Sequence, residues 1–393
     1  MSVVKLFHTA DWHLGKLVHG VYMTEDQRYV LEQFIEAVRD EKPDAVILAG
    51  DIYDRGVPPV EAVELLDWAL EQIVLELGTP VLAISGNHDS PDRIAFGSRF
   101  MESRGLHLAG GYTGEIKPVV LKDEFGEVHV HLVPYADPGQ VRHALGDDGI
   151  RTHQDAMAAI TAKLEEKLDP SARHVLVGHA FVTPAGEAQP NTSESERPLS
   201  IGGAEHVSAA LFQSFHYTAL GHLHGAHYVL NETIRYSGSP LKYSITEENH
   251  DKGYLVVEMD GNGMSAVQKK PLAPRRNMRR VIASIEELER HPVNDDYVFV
   301  TLLNEAPVLF PMEKVRAVYP NALHVARQTA PASHQDAQSG VSEETAAKRS
   351  QSEPVDLFAG FYQEVKGVPL TEKRKSLFAD MLEGLLKEEG AGA

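Results

Sequence analysis

Five short clusters of acid, amide and imidazole side chains recur along the chain. They are Asp11-Trp12-His13, Gly50-Asp51-Ile52-Tyr53-Asp54, Gly86-Asn87-His88-Asp89, Gly178-His179 and Gly221-His222-Leu223-His224. Each alone has an ordinary explanation. Asp51 and Asp54 fit an Asx turn and a helix cap, Asn87 fits a turn, and a histidine after a strand is usually packed or solvated. With 20 histidines in the chain, most are expected to bind nothing. The repetition of the set is what those explanations leave unaccounted for. Carboxylate, imidazole and amide oxygen without thiolate suit Mn²⁺, Fe²⁺ or Zn²⁺. Asp11, Asp51, Asp54, Asn87, His13, His179, His222 and His224 are more ligands than one ion needs, so two divalent ions are implied. Two ions about 3.5 to 4 Å apart, sharing a carboxylate, neutralise charge on phosphorus-bound oxygens, and the natural reaction is phosphoester hydrolysis.

The elements that must hold these side chains are short β-branched runs bounded by turn residues. Strands are expected over Val3–Phe7, Ala45–Ala49, Val81–Ile84, Val128–Val133, Val175–Val177 and Tyr217–Leu220. Five of the six end in one of the clusters; the exception ends in Pro134-Tyr135. Ligands in open α/β sheets sit beyond the carboxyl ends of strands, so the clusters converge. Amphipathic helices over Glu25–Glu41 and Val60–Leu77 alternate with the first three strands, the mark of βαβ units. After Leu230 the pattern is strands alone, Thr233–Tyr236, Tyr254–Glu258 and Met264–Val267, which predicts a second sheet with few helices.

Composition bounds the rest. At 393 residues the chain is long enough for two or three domains, and 42% hydrophobic content excludes wholesale disorder. The absence of cysteine excludes disulfides, thiol catalysis, thiolate zinc sites and iron–sulfur clusters. The apolar run at the N-terminus is too short for a signal peptide and no stretch approaches a transmembrane span, so a soluble, cytoplasmic protein with no membrane association is expected. A net charge of −20 argues against binding polyanions over the whole surface. One local exception is Lys269–Arg280, KKPLAPRRNMRR, which reads either as a solvated linker or as a phosphate-contacting surface.

Four segments are expected: a catalytic domain over 1–270, a compact α+β cap over 276–330, a polar flexible linker over 331–352, and a helical module over 353–390. In the last, Phe358, Phe361, Leu377, Phe378, Leu382 and Leu385 fall on apolar stripes. These either dock back on their own domain or grip a partner protein.

Taken in order, DWH, GDxxD, GNHD, GH and GHLH resemble the calcineurin-like metallophosphoesterases. HTADWHLG, GNHDS, the SIGG segment at Ser200–Gly203 and the domain order resemble, more narrowly, the SbcD-type nuclease subunits of bacterial SbcCD complexes. The resemblance implies an α/β, four-layer fold of two mixed sheets flanked by helices, with the small cap and a C-terminal helix pair. It implies that Asp11, His13, Asp51 and His224 hold one ion and that Asn87, His179, His222 and the shared Asp51 hold the other. His88 would face the scissile phosphate as an acid or charge stabiliser, and Asp54, often histidine in archaeal and eukaryotic relatives, would orient His88 or a ligand histidine. The implied activity is Mn²⁺-dependent cleavage of double-stranded DNA, as 3′ to 5′ exonuclease and hairpin or single-strand endonuclease, in recombination, repair and replication. The implied partners are the SbcC ATPase, gripped by the C-terminal helices, duplex and hairpin DNA, and a second copy in a homodimer within a heterotetramer.

Gly50–Gly56 also resembles the Ser/Thr protein phosphatases. Those usually continue with GNHE where this chain has Asp89, and they lack the linker and paired helices, which favours DNA over phosphoproteins. A phosphomonoesterase or nucleotide phosphodiesterase would use the same ligands.

Overall fold

The computed structural model describes residues 3–187, 193–196, 205–328, 358–360, 362 and 369–390, in the last of which the side chains of 380 and 383–390 are left out. Two six-stranded sheets dominate. The first runs Gly263–Pro271, Gly253–Asp260, Val4–Thr9, Ala45–Ala49, Val81–Ile84, Leu106–Ala109. Its last four strands are parallel, and Gly253–Asp260 pairs antiparallel with Val4–Thr9. The second runs His227–Val229, Asn231–Tyr236, Tyr217–Gly221, Arg173–His179, Gly126–Leu132, Val119–Asp123.

Alternation along the strands builds four layers. Val4, Leu6, Ile47, Leu82 and Ile84 point one way and meet Val130, Val175, Val177 and Ala219 of the other sheet in a buried apolar seam. Phe7, Val46, Leu48 and Ala83 point the other way and are covered by Leu31, Phe34, Ile35, Leu65 and Ala69 of helices Thr24–Glu41 and Val60–Leu70. On the far face, Leu176, Leu220, Ile234 and Tyr236 are covered by Met157, Ile160 and Leu164 of helix His153–Glu165. That helix starts with a capping box in which Thr152 and Asp155 satisfy each other's backbone N–H groups.

Three features differ from the sequence reading. The strands after Leu230 do not form a sheet of their own. Asn231–Tyr236 joins the second sheet beside Tyr217–Gly221, while Gly253–Asp260 and Gly263–Pro271 extend the first. An apolar alternation says that one strand face is buried, and it leaves open which sheet edge is vacant. The second helix does not run regularly to Leu77: from Glu71 to Glu76 it widens, and the Leu77 N–H reaches the Gln72 carbonyl five residues back. The basic run Lys269–Arg280 is also largely neutralised. Lys270 lies 3.3 Å from Glu41, Arg275 3.2 Å from Glu25, Arg276 3.0 Å from Asp26, Arg279 2.7 Å from Asp296 and Arg280 3.2 Å from Glu248.

Strands Met278–Ala283, Tyr297–Leu302 and Ala322–Arg327 form a three-stranded sheet in that order, with short helices Ile285–Leu288 and Pro311–Arg316 between them. Compactness divides the chain into two units. One holds Met1–Val281, Pro292–Phe299 and Arg316–His324; the other holds Ile282–His291, Val300–Val315 and the described part of Val325–Ala393. In the second, the ring of Phe358 stacks on Phe378 at 3.9 Å, in helix Glu372–Gly390, while Leu377 and Met381 are exposed. The expected linker 331–352, and Phe361, lie outside the described residues, as does the side chain of Leu385. No described helix is long and apolar enough to cross a membrane.

Candidate metal centre

The carboxyl ends of parallel strands from both sheets point to one place, and the loops leaving them are laced together by backbone hydrogen bonds. Asp11 N–H donates to the Gly50 carbonyl at 3.0 Å and His13 N–H to the Asp51 carbonyl at 2.9 Å. Asp11, His13, Asp51 and His222 all adopt positive φ, of 55°, 44°, 50° and 111°. Such backbone costs an L-residue about 1 to 3 kcal/mol, and it clusters where side chains must be aimed. Gly86 is a glycine for lack of space: a Cβ there would lie 2.1 Å from Asp51 Oδ1.

Asp51 is the hub. Its Oδ1 accepts the His88 N–H at 2.9 Å, and its Oδ2 lies 3.4 Å from His179 Nε2, 3.6 Å from His13 Nε2 and 4.0 Å from His88 Nε2. His179 is oriented from behind by the Ala49 carbonyl at 2.9 Å and meets Asn87 Oδ1 at 2.9 Å. Asp11 accepts the His222 N–H at 3.0 Å. His13 Nε2 and His224 Nε2 face each other at 3.1 Å. Asp11, His13 and His224 form one compact ligand group, Asp11, Asp51 and His179 a second, and His13, Asp51 and His88 a third. All of them are buried except His88, which is half-buried.

The electrostatics match a cation site. Burial pushes the Asp11 carboxyl up to about 7, against the pull of His179 and His224. Burial acts in the same sense on Asp51, but His179, then His13 and His88, hold it well below the usual carboxylate range. For His179 burial works downward and is outweighed by Asp51, which raises it to about 9. Burial drives His13 and His222 well below the usual imidazole value, so both are neutral and carry a lone pair. The Nε2 of His222 is buried with no hydrogen-bond partner, and an orphaned acceptor beside carboxylates is what a divalent ion would satisfy. The oxygen and nitrogen donors fit such an ion on chemical grounds as well.

His88 stands at the rim, with Nδ1 2.8 Å from the backbone carbonyl of Asp54. The Asp54 carboxylate looks elsewhere, toward Lys16 Nζ at 2.8 Å and His13 Nδ1 at 3.7 Å. It is therefore the main chain of Asp54 that orients His88.

Several supporting residues were given no role by the sequence reading. Asp89 accepts N–H groups from Ile52, Tyr53 and Gly86 at 3.0, 2.9 and 2.9 Å and thereby clamps two of the loops. Burial, with Asp51 nearby, raises it to about 7. Gln27 donates to the His13 carbonyl at 2.7 Å and to Tyr243 Oη at 3.1 Å. Glu247 lies 3.0 Å from His224 Nδ1 and 2.6 Å from Lys252. Of these, Asp89 alone lay inside one of the sequence clusters, Gly86-Asn87-His88-Asp89.

Residues 4–226 match the calcineurin-like phosphoesterase family, and the chain belongs to it. Enzymes of this family are hydrolases that use divalent metals. Beyond that domain, residues 274–366 match a second family, SbcD_C, described as the type 5 capsule protein repressor C-terminal domain.

Among solved structures, the chain is similar to GAP50, the anchor in the inner membrane complex of Plasmodium, at 11% identity and a TM-score of 0.43 over 84% of this chain and 98% of that one. It is similar to TT1561 of Thermus thermophilus at 12% identity and a TM-score of 0.39, over 69% of this chain and 100% of the other. A dimetal phosphatase from Danio rerio gives 13%, 0.39 and the same coverage.

Proposed function

We propose that the protein is the nuclease subunit of an SbcCD-type complex, a two-metal DNA phosphodiesterase acting with an SbcC-type ATPase in recombination, repair and replication. One observation carries the reading: a calcineurin-like phosphoesterase domain and an SbcD_C domain follow one another in a single chain. Mn²⁺ is the proposed metal.

In this reading Asp11, His13, Asp51 and His224 hold one ion, and Asp51, Asn87, His179 and His222 hold the other. The bound ions supply Lewis acidity toward phosphate oxygens. The protein supplies the rest. Donation of His88 Nδ1–H to the Asp54 carbonyl turns Nε2 toward the space beside Asp51. There, when protonated, Nε2–H can hydrogen-bond a phosphate oxygen or protonate the leaving group. Asp54 holds Lys16 and lies beside His13, so its role is to position. Because Lys269–Arg280 is mostly paired, DNA contact by this segment needs exchange of exposed ion pairs such as Arg275–Glu25 for phosphate, an inexpensive step.

The homodimer has support in one exposed apolar face. Val63, Leu75, Phe96 and Phe100 are all exposed, and the last two are 81% and 86% accessible. The four line one apolar groove of about 600 Å³. A solvated surface of that composition marks an interaction site. Exposed Leu377 and Met381 support a partner-binding role for the C-terminal helix.

The test is substrate choice. With Mn²⁺, the protein is expected to cleave an end-labelled hairpin-capped duplex, alone or with the SbcC-type ATPase and ATP. Turnover of a nitrophenyl phosphate ester without any DNA cleavage, ATPase included, would replace this reading with the small-phosphoester one.

A further inference from the structure

One buried carboxylate near the metal centre belongs to none of the strand-end clusters. Glu247 closes the short turn Ile245–Glu247, which Ser244 caps by accepting the Thr246 N–H. Its side chain is fully buried. Oε1 lies 3.0 Å from His224 Nδ1 and receives the Ser193 hydroxyl at 2.8 Å and the Ser195 hydroxyl at 2.5 Å. Oε2 receives the Tyr243 N–H at 3.3 Å and is 2.6 Å from Lys252 Nζ. Lys252 is satisfied in turn by Ser239 Oγ at 2.8 Å and the His224 carbonyl at 2.9 Å.

His224 Nδ1 faces both Glu247 Oε1 at 3.0 Å and Ser195 Oγ at 2.8 Å; the serine hydroxyl is donated to the same carboxylate oxygen and a carboxylate only accepts, so Nδ1 carries the proton. A neutral His224 protonated on Nδ1 has its lone pair on Nε2, the atom that points at His13 Nε2 from 3.1 Å. We propose that Glu247 is a positioning residue for the metal centre, fixing the tautomer and ring orientation of His224 so that Nε2 can bind a divalent cation. The Lys252 ammonium keeps that carboxylate ionised in a buried setting, and the two serines bring the segment 193–196 onto the same oxygen. Such a carboxylate behind a ligand histidine typically contributes about 10- to 100-fold in metal affinity. The inference rests on the reading of His224 as a ligand.

The experiment measures Mn²⁺ binding to metal-stripped full-length protein by calorimetry and by electron paramagnetic resonance, for wild type, K252M, E247L/K252M, E247Q/K252M and H224A. The double variants remove the buried ion pair as a unit and leave no lone charge. K252M alone takes away the ammonium that keeps Glu247 ionised, so its Mn²⁺ affinity is expected to fall between those of wild type and E247L/K252M. E247L/K252M is expected to weaken one of the two sites about 10- to 100-fold, and E247Q/K252M, whose amide oxygen can still accept from Nδ1–H, to recover most of that loss. A folded E247L/K252M that binds both ions as tightly as wild type overturns the proposal. Should that variant fail to fold, ¹⁵N-histidine resonances of metal-free wild type, assigned by comparison with H224A, decide. Protonation of His224 at Nδ1 is expected, and protonation at Nε2 alone overturns the proposal. Undiminished binding of two ions by H224A refutes the ligand assignment itself. Loss of an ion in H224A without any effect of E247L/K252M refutes the positioning role only.

Discussion

Gly86 sits where a single methyl group should disable the site. A Cβ at this position would lie 2.1 Å from Asp51 Oδ1, 2.7 Å from its Cγ and 2.4 Å from its backbone N, whereas ordinary contact begins at 3.4 Å. The carboxylate would have to retreat by more than 1 Å, and the backbone atom has nowhere to swing. That retreat breaks the 2.9 Å bond from the His88 N–H and opens the 3.4 Å approach to His179. Misplacing a reacting or binding group by about 1 Å costs about 100-fold in rate, and overpacking costs about 1 to 3 kcal/mol in stability. Gly86→Ala is therefore expected to lower kcat/KM at least about 100-fold and to weaken Mn²⁺ binding, with only a modest fall in Tm. Gly56→Ala is the control, because its nearest neighbour would be Ser90 Cβ at an ordinary 3.6 Å. Calorimetric Mn²⁺ titrations and cleavage rates of both variants test this. Wild-type affinity and rate in Gly86→Ala would refute the argument that the glycine makes room for Asp51.

Other perturbations probe the scaffold. Arg173 is buried and donates to Asp123 at 2.6 and 2.9 Å, so Asp123→Ala, which strands its charge, is expected to cost about 3 to 5 kcal/mol in urea unfolding; a loss under about 1 kcal/mol would contradict it. His8 is buried in the seam between the sheets, bonded to Tyr217 Oη at 2.9 Å, and burial lowers it from 6.5 to about 3. The unfolded chain takes up a proton below pH 6.5 that the native one refuses until about pH 3, so stability falls with pH across that window by about 1.4 kcal/mol per unit. His8→Gln should flatten that slope between pH 6 and 4, and parallel unfolding curves for the two proteins would count against it. Phe96→Glu/Phe100→Glu is expected to convert a homodimer to monomer in light scattering; a dimer of unchanged affinity would remove this face as the interface.

The centre was legible in the sequence to the extent that chain order carries it. Asp11, Asp51, Asn87 and His222 each follow a strand within a few residues and His179 ends one, and parallel strands deliver their carboxyl ends to one place, so local pattern implies convergence. What supports the centre was not legible. Glu247 reaches His224 across 23 residues, and Gln27 reaches Tyr243 across 216, with no spacing rule to announce either. The pairing of the basic run was hidden for a related reason: Glu25, Asp26, Glu41 and Glu248, distant in sequence, fold against it, and charge counted along a chain does not see them. The strands after Leu230 were recognised as strands, but their placement depended on which sheet edges were free, a property of the assembled fold.

The most direct measurement compares wild type with His88→Ala on an end-labelled hairpin-capped duplex in Mn²⁺, with bound metal quantified for both. His88 touches Asp51 through its backbone N–H, which alanine retains, so both proteins are expected to bind two ions. Only wild type should cleave efficiently, since a lost general acid costs about 100- to 10,000-fold. Equal cleavage by the two proteins, or loss of metal from His88→Ala, would contradict the division of this site into ions held by Asp51 and its neighbours and an imidazole facing the phosphate.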